Sequence, residues 1–315
     1  MAKTKLGVIR DLLSVSSQLT YPGFGRALGT DPTKVLHHLE DLVHYNDSSS
    51  TLTFKYTIPP HAVRRGGEMP LSGFLAVFDE VTTWAIVAQD RKRRPGLSIT
   101  LSAQVGPATT TTTTTARRGI QAGDTVQINA KVVKSGKVLA FTEAEAIDVT
   151  TGDVICTGRH TKYLPMPFLF ELGLGPLFPL VKMYTNRLPP KYNDDWMDPT
   201  IDDLLQFKDM SANHKTGTFH VENDHNNPLG SVHGGCQAMG IEIIGQGYAD
   251  ASLKTPMRLH SITTTYMSTG RKEITFDANW IHVANDSASM SVKVASISGI
   301  PVSEGILHFV PIKKE

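Results

Sequence analysis

A short stretch, Asn226 to Glu242, carries an amide, an imidazole, two adjacent glycines and a carboxylate as Asn227, His233, Gly234, Gly235 and Glu242. Glycines where a helix begins remove the side chains that would keep a ligand from the first free backbone N–H groups, which carry the positive end of the helix dipole. That arrangement suits an anion or an oxyanion. Beyond the glycines, Ala238, Met239, Ile241, Ile243 and Ile244 are apolar almost all round, the pattern of a helix enclosed by other structure. A carboxylate there is functional or costly to bury. A second apolar run, Phe74 to Ala88, is long enough for a buried helix and holds Asp79, with Thr83 one turn later on the same face.

The elements that position these groups occur twice. Leu52 to Ile58 alternates as a strand. After Gly66-Gly67 comes the Asp79 helix, and segments near 97–105, 124–134, 138–149 and 152–162 read as strands, with turns at Gly136 and Thr151-Gly152. The same order returns as a strand over Thr216 to Val221, a helix over 233–249, and strands near 257–267, 272–283, 287–297 and 302–310, with a turn at Ser298-Gly299. Aligned on the helices, Asp79 falls opposite Glu242, and each acid is followed at the same interval by a serine, Ser98 or Ser261. The helix starts differ, since His233-Gly234-Gly235 faces Pro70-Leu71-Ser72 and Asn227 faces Arg64. The repeat predicts an α+β protein with two tandem domains, at 51–165 and 213–315, each an antiparallel sheet wrapped round a long central helix. A helical extension (1–50) precedes them, with Asp31-Pro32 starting a helix that runs through Val43. A proline-rich linker (166–212), with a short helical piece near 201–205, joins them.

Lys and Arg (31) balance Asp and Glu (30) over the 315 residues, so charge demands neither nucleic acid nor an anionic surface. Cys156 and Cys236 are too few for a disulfide framework and lack metal-site spacing, which suits a reducing intracellular compartment, cytoplasmic or mitochondrial. Cys236 is most simply a small core residue. No uninterrupted apolar run approaches the about 20 residues of a transmembrane helix, so stable membrane insertion is not expected. Near the N-terminus, Lys3, Lys5, Arg10 and several serines stand against a single acid, Asp11. This fits a cleaved mitochondrial presequence or an amphipathic helix with Leu6, Ile9, Leu12 and Leu13 on one side. Thr109 to Thr115 reads as a flexible loop.

The spacing of Asn227, His233-Gly234-Gly235 and Glu242 resembles that of the hotdog-fold acyl-CoA thioesterases, the group that includes the phenylacetate-pathway and 4-hydroxybenzoyl-CoA enzymes. In the first half, Asp79-Glu80-Val81-Thr82-Thr83, Pro95-Gly96-Leu97-Ser98, Gly136 to Thr142, and Gly158-Arg159-His160-Thr161-Lys162 resemble segments of the animal members. The resemblance implies hydrolysis of an acyl-CoA to free acid and CoA, with no cofactor or metal, coenzyme A entering only as part of the substrate. In that family the Gly after His offers its N–H to the thioester carbonyl, a helix acid is nucleophile or general base, and the Ser of Pro-Gly-x-Ser holds the attacking water. The site forms across an interface between two units. Carried onto this chain, that implies one hybrid site, with Asn227, His233 and Gly234 from the second half and Asp79, Thr83 and Ser98 from the first. The opposite site, with Glu242 and Ser261, lacks the His-Gly-Gly opening and is expected to be degenerate. Arg93 and Arg94, or Arg117 and Arg118, are expected to meet the CoA phosphates. Pairing of two such chains is a further expectation. An acyl-CoA-binding sensor and an enoyl-acyl hydratase are the other functions that fit the same fold.

Overall fold

The computed structural model describes residues 4–19, 23–64, 67–107, 119–166, 173, 177–188, 199–227 and 230–312. Helices α1 (Lys5–Leu19), α2 (Gly23–Leu28), α3 (Pro32–His37) and α4 (Leu39–Leu42) lead into strands β1 (Val43–Asn46) and β2 (Thr51–Thr57). Asp31 caps α3 by accepting from the Thr33 and Lys34 N–H groups, but the helix expected through Val43 breaks at His38 and gives way to β1. The long helix α5 (Leu71–Gln89) follows, then β3 (Leu97–Val105), β4 (Thr125–Ser135), β5 (Leu139–Asp148) and β6 (Val154–Tyr163). After α6 (Phe178–Thr185) and α7 (Ile201–Leu204) come β7 (Phe207–Met210), β8 (Thr216–His220) and the second long helix, α8 (Gly234–Ser252). Strands β9 (Met257–Tyr266), β10 (Glu273–Val283), β11 (Ala288–Ser296) and β12 (Pro301–Pro311) end the chain's described part.

All twelve strands join one antiparallel sheet in the order β1-β2-β4-β5-β6-β3-β9-β12-β11-β10-β8-β7. Counted inward from either edge, the order is the same. The halves meet where β3 pairs with β9, Thr100 opposite Thr265 and Gln104 opposite Ser261. Edge strands β1 and β7 are not foreseen from sequence, because four residues are too few to establish a period of two.

The helices α5 and α8 pack on each other and on this sheet. Helix α5 is buried everywhere except at Glu80, Thr83 and Gln89. Its length and apolarity are those of a membrane-crossing helix, although here its surface lies against protein. Two glycines permit the close approach of helix to sheet. A Cβ on Gly158 of β6 would lie 2.5 Å from Phe78 Cδ2, and one on Gly305 of β12 would lie 2.3 Å from Ile241 Cγ2. Phe78 and Ile241 each precede the helix acid by one residue, so these contacts give the two halves a common register.

Candidate active site

Asp79 projects from the middle of α5 towards the inner face of β3 and β6. Ser98 Oγ donates to its Oδ1 at 3.1 Å, Lys162 Nζ lies 3.5 Å from the same oxygen, and His160 Nε2 lies 3.6 Å away. Burial favours the neutral acid, but the neighbouring Lys162 ammonium above all, with His160, His233 and the Ser98 hydroxyl, outweighs it and holds the pKa at about 2. Asp79 is therefore an anion throughout the neutral range. Burial, reinforced by Lys162 and opposed by Asp79, lowers the His160 pKa to about 3, so that imidazole is neutral. His160 Nδ1 meets Thr82 Oγ1 at 2.7 Å and its Nε2 meets Ser98 Oγ at 3.0 Å. The direction that satisfies the carboxylate, assigned from this network, runs from His160 Nε2–H through the Ser98 hydroxyl to Asp79, with His160 Nδ1 facing the Thr82 hydroxyl, which also meets the Phe78 carbonyl at 2.6 Å.

Across from this cluster, His233 is the N-cap of α8. Its Nδ1 accepts the Gly235 N–H at 3.0 Å, which leaves Nε2–H to donate to Glu80 Oε1 at 2.8 Å. Burial disfavours the imidazolium, but the Glu80 hydrogen bond and the Glu80 and Asp79 charges outweigh it, so the His233 pKa is raised. The Gly234 N–H belongs to the first helical turn, where no intrahelical carbonyl is available. A Cβ on Gly234 would stand 3.1 Å from Tyr266 Oη and 3.3 Å from Asp79 Oδ2. Tyr266 donates to the Gly234 carbonyl at 3.0 Å and steadies this turn. Gly235 has a different role from the one expected. A Cβ there would lie 2.4 Å from Ala76 Cβ, so it allows α8 to touch α5 rather than a ligand to approach. Asn227 stays in the turn before α8, where its amide exchanges hydrogen bonds with Ser231.

Asp79, Ser98, Asn227, His233 and Gly234 all line one cavity of about 440 Å³. Thr83 also lines it but does not reach the carboxylate as expected. Its hydroxyl donates to the Asp79 carbonyl and accepts from Lys162 Nζ, so it positions the lysine. His160, Lys162, Glu80 and Tyr266 were not singled out from sequence as site residues. The signal for the first two is the inward phase of β6, where Cys156 and Gly158 are followed at alternate positions by a buried His and a buried Lys.

The corresponding position on α8 is built differently. Glu242 Oε2 accepts the Ser72 N–H at 2.7 Å, so the carboxylate itself caps the start of α5. Burial raises its pKa against the Ser72 hydrogen bonds and the Arg64 charge. Ser261 is not the counterpart of Ser98. Strands β3 and β9 each carry a bulge, at Ile99 and His260, which places Ser98 opposite Leu259 and turns Ser261 to the outer phase beside Gln104. In the same register, with Gly158 matched to Gly305, His160 and Lys162 fall opposite Leu307 and Phe309. The polar cluster is thus replaced by three buried apolar side chains.

Arg93 and Arg94 both have partners within the protein. Arg94 is buried, binds both oxygens of Asp90, and donates to the Lys137 carbonyl. Arg93 lies 3.6 Å from Asp11 of α1. These side chains tie the turn after α5 to its surroundings. Arg117, Arg118 and Thr109 to Thr115 lie outside the described residues, as do 167–172, 174–176 and 189–198 of the proline-rich linker.

No family model matches the chain. Over 87 residues, 27% of its length, it is 33% identical to acyl-coenzyme A thioesterase 13 of Homo sapiens and of Pongo abelii. That stretch is 53% of each relative, so the chain spans about half the length of the curated relatives it matches. An acyl-ACP thioesterase from Bacteroides thetaiotaomicron superposes with a TM-score of 0.54 at 10% identity, over 84% of this chain and 99% of that one. The 12:0-ACP thioesterase from Umbellularia californica gives 0.54 at 10% identity, over 84% and 95%. A protein with a hot dog fold from Alicyclobacillus acidocaldarius gives 0.51 at 8% identity, over 87% and 96%. The chain has the hotdog fold.

Proposed function

We propose that this chain is a thioesterase that hydrolyses acyl-CoA to free acid and CoA at one site between two tandem hotdog units, residues 51–165 and 213–315. The observation that carries this reading is the meeting of an ionised carboxylate on α5 with the open first turn of α8, Asp79 Oδ2 lying 3.3 Å from where a Gly234 side chain would begin. The thioester carbonyl oxygen accepts the Gly234 N–H, a fixed donor of a kind worth ~10²–10³ in rate at acyl-transfer sites. Ser98 and Lys162 engage Asp79 Oδ1, which leaves Oδ2 to take a proton from water as the water oxygen bonds to the carbonyl carbon. Collapse of the tetrahedral intermediate breaks the C–S bond, and the thiolate leaves with that proton. Direct attack by the carboxylate is the other route open to the same geometry. His233 fixes the start of α8, and Asn227 shapes the turn before it.

Release of free CoA thiol from a panel of acyl-CoA thioesters tests the reading. Binding of thioesters without thiol release would make the chain a sensor, and water addition to an enoyl-CoA without thiol release would make it a hydratase.

A pH dependence follows from His233. Charging the imidazole places a proton on Nδ1, which then cannot accept the Gly235 N–H, so the helix cap is lost. Turnover is expected to fall as pH drops through the raised His233 pKa. Glu80→Gln removes the hydrogen-bonded charge that raises it, so the acid limb of kcat/KM should move to lower pH. An acid limb unchanged in position would separate His233 from the limb.

A further inference from the structure

The N-terminal helices lie over the site. Helices α1 and α2 supply one wall of the cavity, and Phe24 of α2 packs its ring on His233 with centroids 5.2 Å apart. The side chains that line the cavity differ in exposure. Leu97, Tyr163 and Met267 along its rim are 41%, 41% and 52% exposed. Leu13, Phe24, Leu28 and Trp84, which also line it, are 1%, 4%, 1% and 2% exposed. Asp11, buried on α1, lies 3.6 Å from Arg93 and 3.8 Å from Lys182, so α1 is tied to the turn after α5 and to α6.

We infer that α1 and α2 close the acyl end of the cavity and set the length of the acyl group the site accepts. The inference rests on the thioesterase reading for the identity of the ligand. The phosphates of coenzyme A lose too much hydration to enter an apolar enclosure, so they stay at the exposed rim. The acyl group gains affinity from each methylene it buries and points to the closed end. The ligand is then a thioester with an unbranched or compact apolar acyl group of bounded size. A cavity of about 440 Å³ falls within the usual range for small-molecule sites. A longer chain has to displace Leu13 or Leu28, both tightly packed.

The test uses S-alkyl-CoA thioethers of increasing length, which cannot be hydrolysed, with binding read by calorimetry on the full chain. Affinity should rise about fourfold per methylene, the equivalent of the apolar burial, and then fall once the closed end is reached. Leu13→Ala should move that limit to longer chains by a few methylenes and leave the affinity for free CoA unchanged. Leu28→Ala serves the same purpose should the first variant not fold. A limit that stays in place in a folded variant, or wild-type affinity independent of alkyl length, overturns the inference. Length-limited thioether binding without turnover of any thioester would leave the pocket assignment standing and remove the hydrolase reading.

Discussion

Asp79→Asn is expected to lower turnover of the best acyl-CoA substrate by about 10²–10⁴, the usual contribution of a positioned base. The substitution keeps the shape of the side chain and an acceptor for Ser98, so what it removes is the negative charge. It also leaves Lys162, 4% exposed, without its counter-charge, and breaking a buried pair from one side costs about 3–5 kcal/mol. Adding Lys162→Met should therefore restore stability, read by denaturant unfolding, without restoring turnover. Glu242→Gln is the control. Its amide oxygen can still accept the Ser72 N–H, and the buried surroundings of Leu259, Leu307 and Phe309 offer no water-holding groups, so the rate should stay within a few-fold. If Glu242→Gln abolished activity in folded protein while Asp79→Asn did not, the working carboxylate would be in the wrong half of this account.

The long helices were legible in the sequence because Phe74 to Ala88 and Ala238 to Ile244 are apolar on every side, and only enclosure stabilises that pattern. The strand boundaries around β3 to β6 and β9 to β12 fell within a few residues for a similar reason, since period two and glycine turns are local signals. The register of β9 was not legible. The bulges at Ile99 and His260 occupy matching places in the two halves, but the second follows its helix acid two residues sooner, 18 residues after Glu242 against 20 after Asp79. The equal spacing of Asp79 to Ser98 and Glu242 to Ser261 therefore suggested an equivalence that the sheet does not keep, and the bulge then turns Ser261 to the other face. Arg94 misled in another way. A run of four basic residues reads as a solvated or phosphate-binding turn until Asp90, four residues earlier, is seen to bind it. The role of α1 and α2 depends on contacts with residues far along the chain, such as Phe24 with His233, for which a single sequence carries no sign.

His233→Ala should lower turnover in the same direction as Asp79→Asn, although the two residues lie on different long helices and far apart in sequence. Removing the imidazole deletes the acceptor for the Gly235 N–H and the donor to Glu80, so the first turn of α8 loses its cap and the Gly234 N–H its fixed aim. Loss of an oriented oxyanion donor corresponds to ~10²–10³ in rate. The effect should appear in kcat more than in KM, because the developing negative charge exists only in the transition state. The double variant Asp79→Asn with His233→Ala is then expected to lose much less than the product of the single losses, since groups acting on one transition state are non-additive. Fully multiplicative losses would mean that carboxylate and helix start serve separate steps, and the single site built across α5 and α8 would not stand. Asn at position 233 offers a finer test. It can cap the helix as the imidazole does but cannot reach Glu80 in the same way. His233→Asn should therefore recover part of the rate lost in His233→Ala, if the ordered first turn of α8 is what the histidine supplies.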